Sequence, residues 1–114
     1  MIDFACKTFE LDEIIKCGLG LTKSDIIVMK FLIERKKIYS SFELAEELNL
    51  DASTVQRSLK KLHEKNIIVR YQKNLSKGGY IFTYKMNSKP IIIGAIKKVI
   101  HDWVKKVDDE LERW

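Results

Sequence analysis

The sequence predicts a mainly α domain that closes on one small β-hairpin and a long C-terminal helix. Three observations predict it. Apolar residues recur at helical spacing in four segments between Leu11 and Lys65, and again from Pro90 to Trp114. Residues 67–86 switch to a β-branched and aromatic pattern interrupted by the turn-forming run Asn74 to Gly79. Five glycines and one proline in 114 residues are too few for disorder or a long multi-turn β fold. With 46% hydrophobic residues, the chain can bury one core.

Leu11 to Cys17 reads as a short helix with Leu11, Ile14 and Ile15 on one face, stopped by Gly18 and Gly20. Thr22 caps a second helix, and Asp25 in its first turn favours the positive end of the helix dipole. Ile26, Ile27, Met29, Phe31, Leu32 and Ile33 make that helix the expected centre of the core, and Arg35-Lys36-Lys37 suits its C-terminus. Ser40 and Glu43 form a capping box for a third helix over about Ser41 to Leu48, with Leu44, Ala45 and Leu48 inward. Asn49-Leu50-Asp51 is a three-residue turn, and Asp51 is a suitable N-cap for a fourth helix over about 52–65. Val55, Leu59 and Leu62 are its inner stripe, and Asn66 ends it. Ile67 to Gln72 and Tyr80 to Met86 are strands of a hairpin with a basic, glycine-containing tip. Tyr71, Tyr80, Phe82 and Tyr84 alternate along these strands, as packing residues do. Ser88 and Pro90 open the last helix, which runs to Trp114.

No apolar run approaches the roughly 18 residues of a membrane span. The acidic start MIDFACKTFELDE lacks the basic end and long apolar core of a signal peptide. A cytoplasmic chain with no membrane association is expected. Cys6 and Cys17 lie eleven apart with no nearby His. They match no zinc pattern and read as buried or half-buried thiols; a sensor pair completed across a dimer is the alternative. No nucleophile–base pair, paired carboxylates or phosphate-cradling loop is recognisable, so neither an enzyme nor a cofactor is expected. His63, beside the inner stripe, reads as a packing or phosphate-facing residue, and His101 is isolated.

Charge is segregated. Residues 49–86 hold eight Lys/Arg and two acids, a net of +6, whereas the whole chain is only +5. One sign gathered on a third of the chain is the electrostatic footprint of a polyanion site. The same stretch has the order short helix, three-residue turn, longer helix, β-hairpin, which is a helix-turn-helix followed by a wing. In that arrangement the second helix lies in the major groove of duplex DNA, its N-terminal residues toward base edges. With Val55, Leu59 and Leu62 inward, Ser53, Thr54, Gln56, Arg57, Lys60 and Lys61 are expected outward. Ser53, Thr54 and Gln56 suit base edges, Arg57 suits a guanine or a phosphate, and Lys60 and Lys61 suit phosphates. Lys73, Lys77 and the Gly78-Gly79 backbone would approach the adjacent minor groove or its phosphates.

The stretch SSFELAEELNLDASTVQRSLKKLHEKNIIVRY, followed by KGGYIFTYKM, resembles the winged helix of TrmB-type and MarR-type transcription regulators, most of all the short archaeal TrmB-like proteins. The likeness rests on Leu44 to Leu48, on Ser53 to Leu59, on the Leu62 to Ile68 junction and on the Gly78 to Tyr84 wing return. It covers about residues 20–90. It implies a DNA-binding transcription regulator with Ser53, Thr54, Gln56, Arg57 and Lys60 at recognition-helix positions. The sugar-binding domain of full-length TrmB proteins has no counterpart here, so sugar sensing does not carry over. NLSKGG stands where MarR proteins have an Asp-x-Arg wing pattern, so MarR-style wing contacts do not carry over either.

On the last helix, Ile96, Val99, Trp103, Val107, Leu111 and Trp114 recur at steps of three and four and form one apolar stripe, widened by Ile92, Ile93, Ile100 and Val104. Two tryptophans on a terminal helix suggest a dimer interface, with the N-terminal helix joining in; the alternative is that the helix folds back on its own domain. The expected division is therefore 1–89, a winged helix-turn-helix domain, and 90–114, a dimerisation helix. A symmetric dimer would present its recognition helices to half-sites about 34 Å apart, making the operator an inverted repeat. The overall expectation is a sequence-specific regulator of double-stranded DNA acting as a homodimer. The alternatives are a winged-helix protein-docking module of a transcription assembly and a non-specific, chromatin-like DNA binder.

Overall fold

The computed structural model describes residues 1–114. A short hairpin comes first, with β1 at Ile2–Phe4 and β2 at Lys7–Phe9. Helices α1 (Leu11–Leu19) and α2 (Lys23–Arg35) follow, then β3 (Tyr39–Ser40), α3 (Ser41–Leu48) and α4 (Ala52–Glu64). The chain finishes with β4 (Ile68–Asn74), β5 (Tyr80–Met86) and α5 (Lys89–Glu112). The expected class, a mainly helical winged helix-turn-helix with a long C-terminal helix, is the one observed.

Local chemistry sets most boundaries. The Thr22 hydroxyl accepts from the Asp25 N–H at 3.2 Å, and the Asp25 carboxylate accepts from the Thr22 N–H at 2.8 Å. Ser40 and Glu43 make the same reciprocal pair at the start of α3. Each box satisfies two backbone donors that a helix start leaves unpaired. Asn49 and Asn66 take left-handed conformations after α3 and α4, at φ 51° and φ 63°. Short polar side chains tolerate that region better than most. Asp51 occupies the N-cap position of α4, but its side chain accepts no capping bond.

The core is made between Leu19 and Ile68. Val28 and Leu32 from α2 meet Leu44 from α3 and Val55, Leu59 and Leu62 from α4, closed by Leu19, Leu21, Met29, Ile67 and Ile68. Only part of the apolar surface of α2 enters it, because Ile27 and Ile33 face outward. The three-stranded sheet has the order β3-β5-β4, all antiparallel, with Ile68 opposite Met86 and Asn74 opposite Tyr80. Two features unforeseen in the sequence complete the picture: β3 is a two-residue edge on β5, and β1–β2 is a separate hairpin.

Helix α5 has two distinct halves. Ile92, Ala95, Ile96 and Val99 pack against the core, and α1 lies beside this part of the helix. A Cβ on Gly18 would come within 3.3 Å of the Val99 side chain, so glycine allows the close approach. Every residue from Ile100 to Trp114 is exposed. The molecule is accordingly elongated, 62 × 25 × 24 Å. Of the expected interface stripe, Ile96 and Val99 are thus partly covered by the chain's own core. Trp103, Val107, Leu111 and Trp114 remain free.

Candidate nucleic-acid interface

Helix α4 turns about 100° per residue, so the buried Val55, Ser58, Leu59 and Leu62 define one side and the remaining positions fan out around the other. Ser53, Gln56, Arg57 and Lys60 are exposed, and Thr54 is half-buried. The Arg57 guanidinium lies 3.5 Å from the Thr54 hydroxyl, a long contact that leaves its donors free for other partners. These residues stand on the helix that α3 braces through Leu44.

Lys61 departs from the expectation. It lies on the flank of α4 that faces α2, and its Nζ is 2.9 Å from the Asp25 carboxylate. It also donates to the Gly20 carbonyl at 3.4 Å. The reason is electrostatic: Asp25 is 3% exposed, and a buried carboxylate needs compensation. The Ser58 hydroxyl donates to the same carboxylate at 2.6 Å. Burial by itself raises the Asp25 pKa. The Ser58 hydroxyl, the Thr22 N–H and hydroxyl and the Lys61 ammonium outweigh it and hold the carboxyl below its usual value. Lys61 therefore belongs to the seam between α2 and α4 rather than to the outward cation set.

The wing supplies the second wall. Residues directly opposite in the hairpin share a face, so Arg70, Gln72, Phe82 and Tyr84 lie on one side and Lys73, Ile81 and Lys85 on the other. Arg70, Phe82 and Tyr84, with Ile81, meet Gln56, Lys60, His63 and Glu64 of α4 and Ser40 to Phe42 around a cleft of about 480 Å³. Arg70 stacks over the Phe82 ring at 4.2 Å. It is the wing cation lining this cleft, and it was missed among the candidate residues. Strand parity could have found it, since Arg70 and Lys73 are three apart and must point to opposite faces. Lys73 and Lys77 are exposed on the wing, Lys77 in the tip. Gly78 and Gly79 turn that tip at φ 93° and φ 80°, conformations that favour glycine. The Gly78 N–H donates to the Leu75 carbonyl, so it is not free for a ligand.

Cys6 and Cys17 are both exposed, correcting the expectation of buried or half-buried thiols. No group of three His, Cys, Asp or Glu side chains could hold a metal ion. No helix is long and apolar enough to cross a membrane.

Comparison with known proteins places this geometry in context. The chain is similar over its full length to a possible transcriptional regulator from Methanosarcina mazei Go1, with 47% identity, a TM-score of 0.90 and coverage of 96% of that chain. An uncharacterized protein of Methanocaldococcus jannaschii is 33% identical over 110 residues, spanning 94% of this chain and 83% of the relative. A point mutant of S. aureus MepR, bound to oligodeoxyribonucleotide, shares the fold at 15% identity and a TM-score of 0.55. The likeness covers 86% of this chain and 72% of that one. The winged-helix fold expected from the sequence is shared with these structures, and the family that matches, over residues 9–107, is the DnaD N-terminal domain. The chain belongs to the DnaD N-terminal domain family.

Proposed function

We propose that the protein is a non-enzymatic, sequence-specific, double-stranded DNA-binding transcription regulator acting as a homodimer. In this reading α4 enters the major groove and the wing, residues 67–86, follows the adjacent minor groove or backbone. The observation that carries it is the exposed row Ser53, Gln56, Arg57 and Lys60, faced across one cleft by Arg70 of the wing. Ser53, Thr54 and Gln56 are short or neutral hydrogen-bonding groups near the start of α4, where base edges are read. Arg57 forks onto a guanine or a phosphate. Lys60, Arg70, Lys73 and Lys77 neutralise phosphates, which position the protein without specifying sequence. The fold shared with the DNA-bound MepR mutant and the likeness to the possible transcriptional regulator of M. mazei support the assignment.

The dimer reading rests on the free half of α5, where Trp103, Val107, Leu111 and Trp114 expose one continuous apolar stripe. In this division residues 1–89 carry the DNA-binding winged helix, and residues 90–114 carry the dimer contact in their free half from Ile100 onward.

Titrating labelled duplex DNA with the native chain and with Arg57→Ala tests the proposal. Native binding weakens steeply as salt rises, because phosphate contacts release counterions. Arg57→Ala costs about 1–3 kcal/mol if Arg57 reads a base, and the preference at that base relaxes. Absence of duplex binding at low salt would move the assignment to a protein-docking winged helix.

A further inference from the structure

The N-terminal hairpin is amphipathic, and its apolar face is only partly covered: Phe9 is half-buried, while Ile2 and Phe4 are exposed. Cross-strand pairing puts Ile2 opposite Phe9 and Phe4 opposite Lys7 on one face, and Asp3 opposite Thr8 on the other. The polar face closes on itself, the Thr8 hydroxyl donating to the Asp3 carboxylate at 2.8 Å. On the apolar face Phe4 is 64% exposed and Ile2 47%, and the Lys7 ammonium lies 5.2 Å from the centre of the Phe9 ring. A two-stranded hairpin standing alone is at best marginally stable in water. Ile2 and Phe4 of this one have little cover from their own chain.

The same chain carries a second uncovered apolar surface. On the free half of α5, Trp103, Val107, Leu111 and Trp114 flank a shallow notch of about 500 Å³, with Lys106 and Glu110 on its rim. Trp114 is 97% exposed. From Trp103 to Trp114 the helix rises about 16 Å, and a three-residue strand spans about 10 Å, so one face of the hairpin fits along the notch. The rim charges are mixed, Lys106 beside a Glu110 that already pairs with Arg113, so the fit is apolar rather than electrostatic. A stable dimer buries about 800 Å² per partner, more than one side of three helical turns supplies.

We propose that the β1–β2 hairpin of one protomer docks its Ile2, Phe4 and Phe9 face into the Trp103–Trp114 notch of a second copy. Twofold symmetry makes the contact twice. The inference rests on the dimer reading above and adds to it the segment that completes the interface. The N-terminal ten residues are then an interaction element, and each protomer's Trp-bearing helix end is sealed by its partner's hairpin.

The native thiol of Cys6, exposed at the hairpin turn, provides the test. One chain carries Cys17→Ser, leaving Cys6 as its single thiol. A second, tagged chain carries Cys6→Ser, Cys17→Ser and Glu110→Cys. The two are mixed, allowed to exchange subunits and treated with a short bis-maleimide, while sedimentation of the same samples reports oligomeric state. The proposal expects a covalent product containing one chain of each kind. Adding Phe4→Glu to the first chain should reduce its yield at least about tenfold, as loss of an apolar anchor does. Phe4 is mostly exposed within its own chain, so this change does not disturb the protomer's core. A dimer by sedimentation that yields no mixed product overturns the hairpin contact and leaves the dimer reading standing. Equal yield with Glu34→Cys in place of Glu110→Cys, an exposed position on α2 outside the notch, shows random capture and overturns it as well. A monomer by sedimentation overturns both, and duplex titration judges DNA binding independently of either.

Discussion

Asp25 and Lys61 lie 2.9 Å apart across the seam between α2 and α4, the carboxylate buried and the ammonium one-third exposed. With the Ser58 hydroxyl on the same carboxylate, the pair fixes how α4 is rolled against the core. The side of α4 that faces outward follows from this roll. An acid that caps α2 locally therefore also orients the helix proposed to read DNA.

Asp25→Ala removes the cap partner, the Ser58 bond and the ion pair together. It should lower stability by about 2–3 kcal/mol, most of it the cost of leaving buried donors unpaired. Urea unfolding at pH 7 measures the loss, and a change within about 0.5 kcal/mol would be the size of an ordinary surface substitution and would remove Asp25 from this role. The pH dependence has a definite sign. The folded-state pKa is depressed, so the contribution is present above the unfolded carboxyl value and is lost as pH falls through the folded value below it. Asp25→Ala should accordingly flatten the acid limb of the stability profile and leave stability above neutrality parallel to native.

Lys60 and Lys61 are neighbours in sequence with different work to do. Lys60→Ala should weaken duplex binding on all sequences alike and reduce the salt slope by about 1. Lys61→Ala should leave the slope unchanged and cost about 1 kcal/mol of stability, discounted for the exposure of the amine. Equal salt slopes for the two variants would show that Lys61 leaves Asp25 to meet DNA.

Trp103→Glu places a charge in the middle of the free stripe. The side chain is 59% exposed in the protomer, so folding should be unaffected while self-association is lost. Sedimentation velocity decides it, and a dimer that persists at micromolar concentration would take the free half of α5 out of the interface.

Gly79→Ala tests the wing. Gly79 sits at φ 80°, which costs a residue with a Cβ roughly 1–2 kcal/mol. The Leu75 N–H to Gly79 carbonyl bond at 3.0 Å closes the tip. Urea unfolding should show a loss of up to about 1–2 kcal/mol from that strain, and duplex affinity should fall modestly as the tip changes shape. An affinity equal to native would show that the tip makes no DNA contact.

Features whose signal is local were legible in the sequence. The Ser40–Glu43 capping box depends on residues three apart, Thr22 was legible as the cap of α2 although its reciprocal bond with Asp25 was not, and the Val55, Leu59 and Leu62 stripe shows its period in eight residues. Asn66 marked the end of α4, and Asn74 to Gly79 marked the wing turn. Features that depend on distant partners were hidden. Ser58 and Asp25 are 33 positions apart, and nothing near either one announces the bond. Lys61 was expected outward because the stripe alone leaves its flank open; only the placement of α2 shows which lysine is captured. The β1–β2 hairpin turns through Ala5-Cys6, without the glycine or asparagine that marks such a turn, and β3 is two residues that pair only because β5 is there to receive them. The last helix was legible as an element. That its apolar stripe divides at about Val99, inward before and free after, depends on where α1 packs.

Selection of bound duplexes from a randomised DNA pool, sequenced after rounds at low and near-physiological salt, decides whether α4 reads DNA sequence. A dimer reading DNA through α4 enriches an inverted repeat with half-site centres about one helical turn, roughly 10–10.5 base pairs, apart, and its affinity falls steeply with salt. Salt-sensitive binding with no enriched sequence would contradict sequence-specific reading by α4, and no binding at either salt would contradict the DNA interface itself.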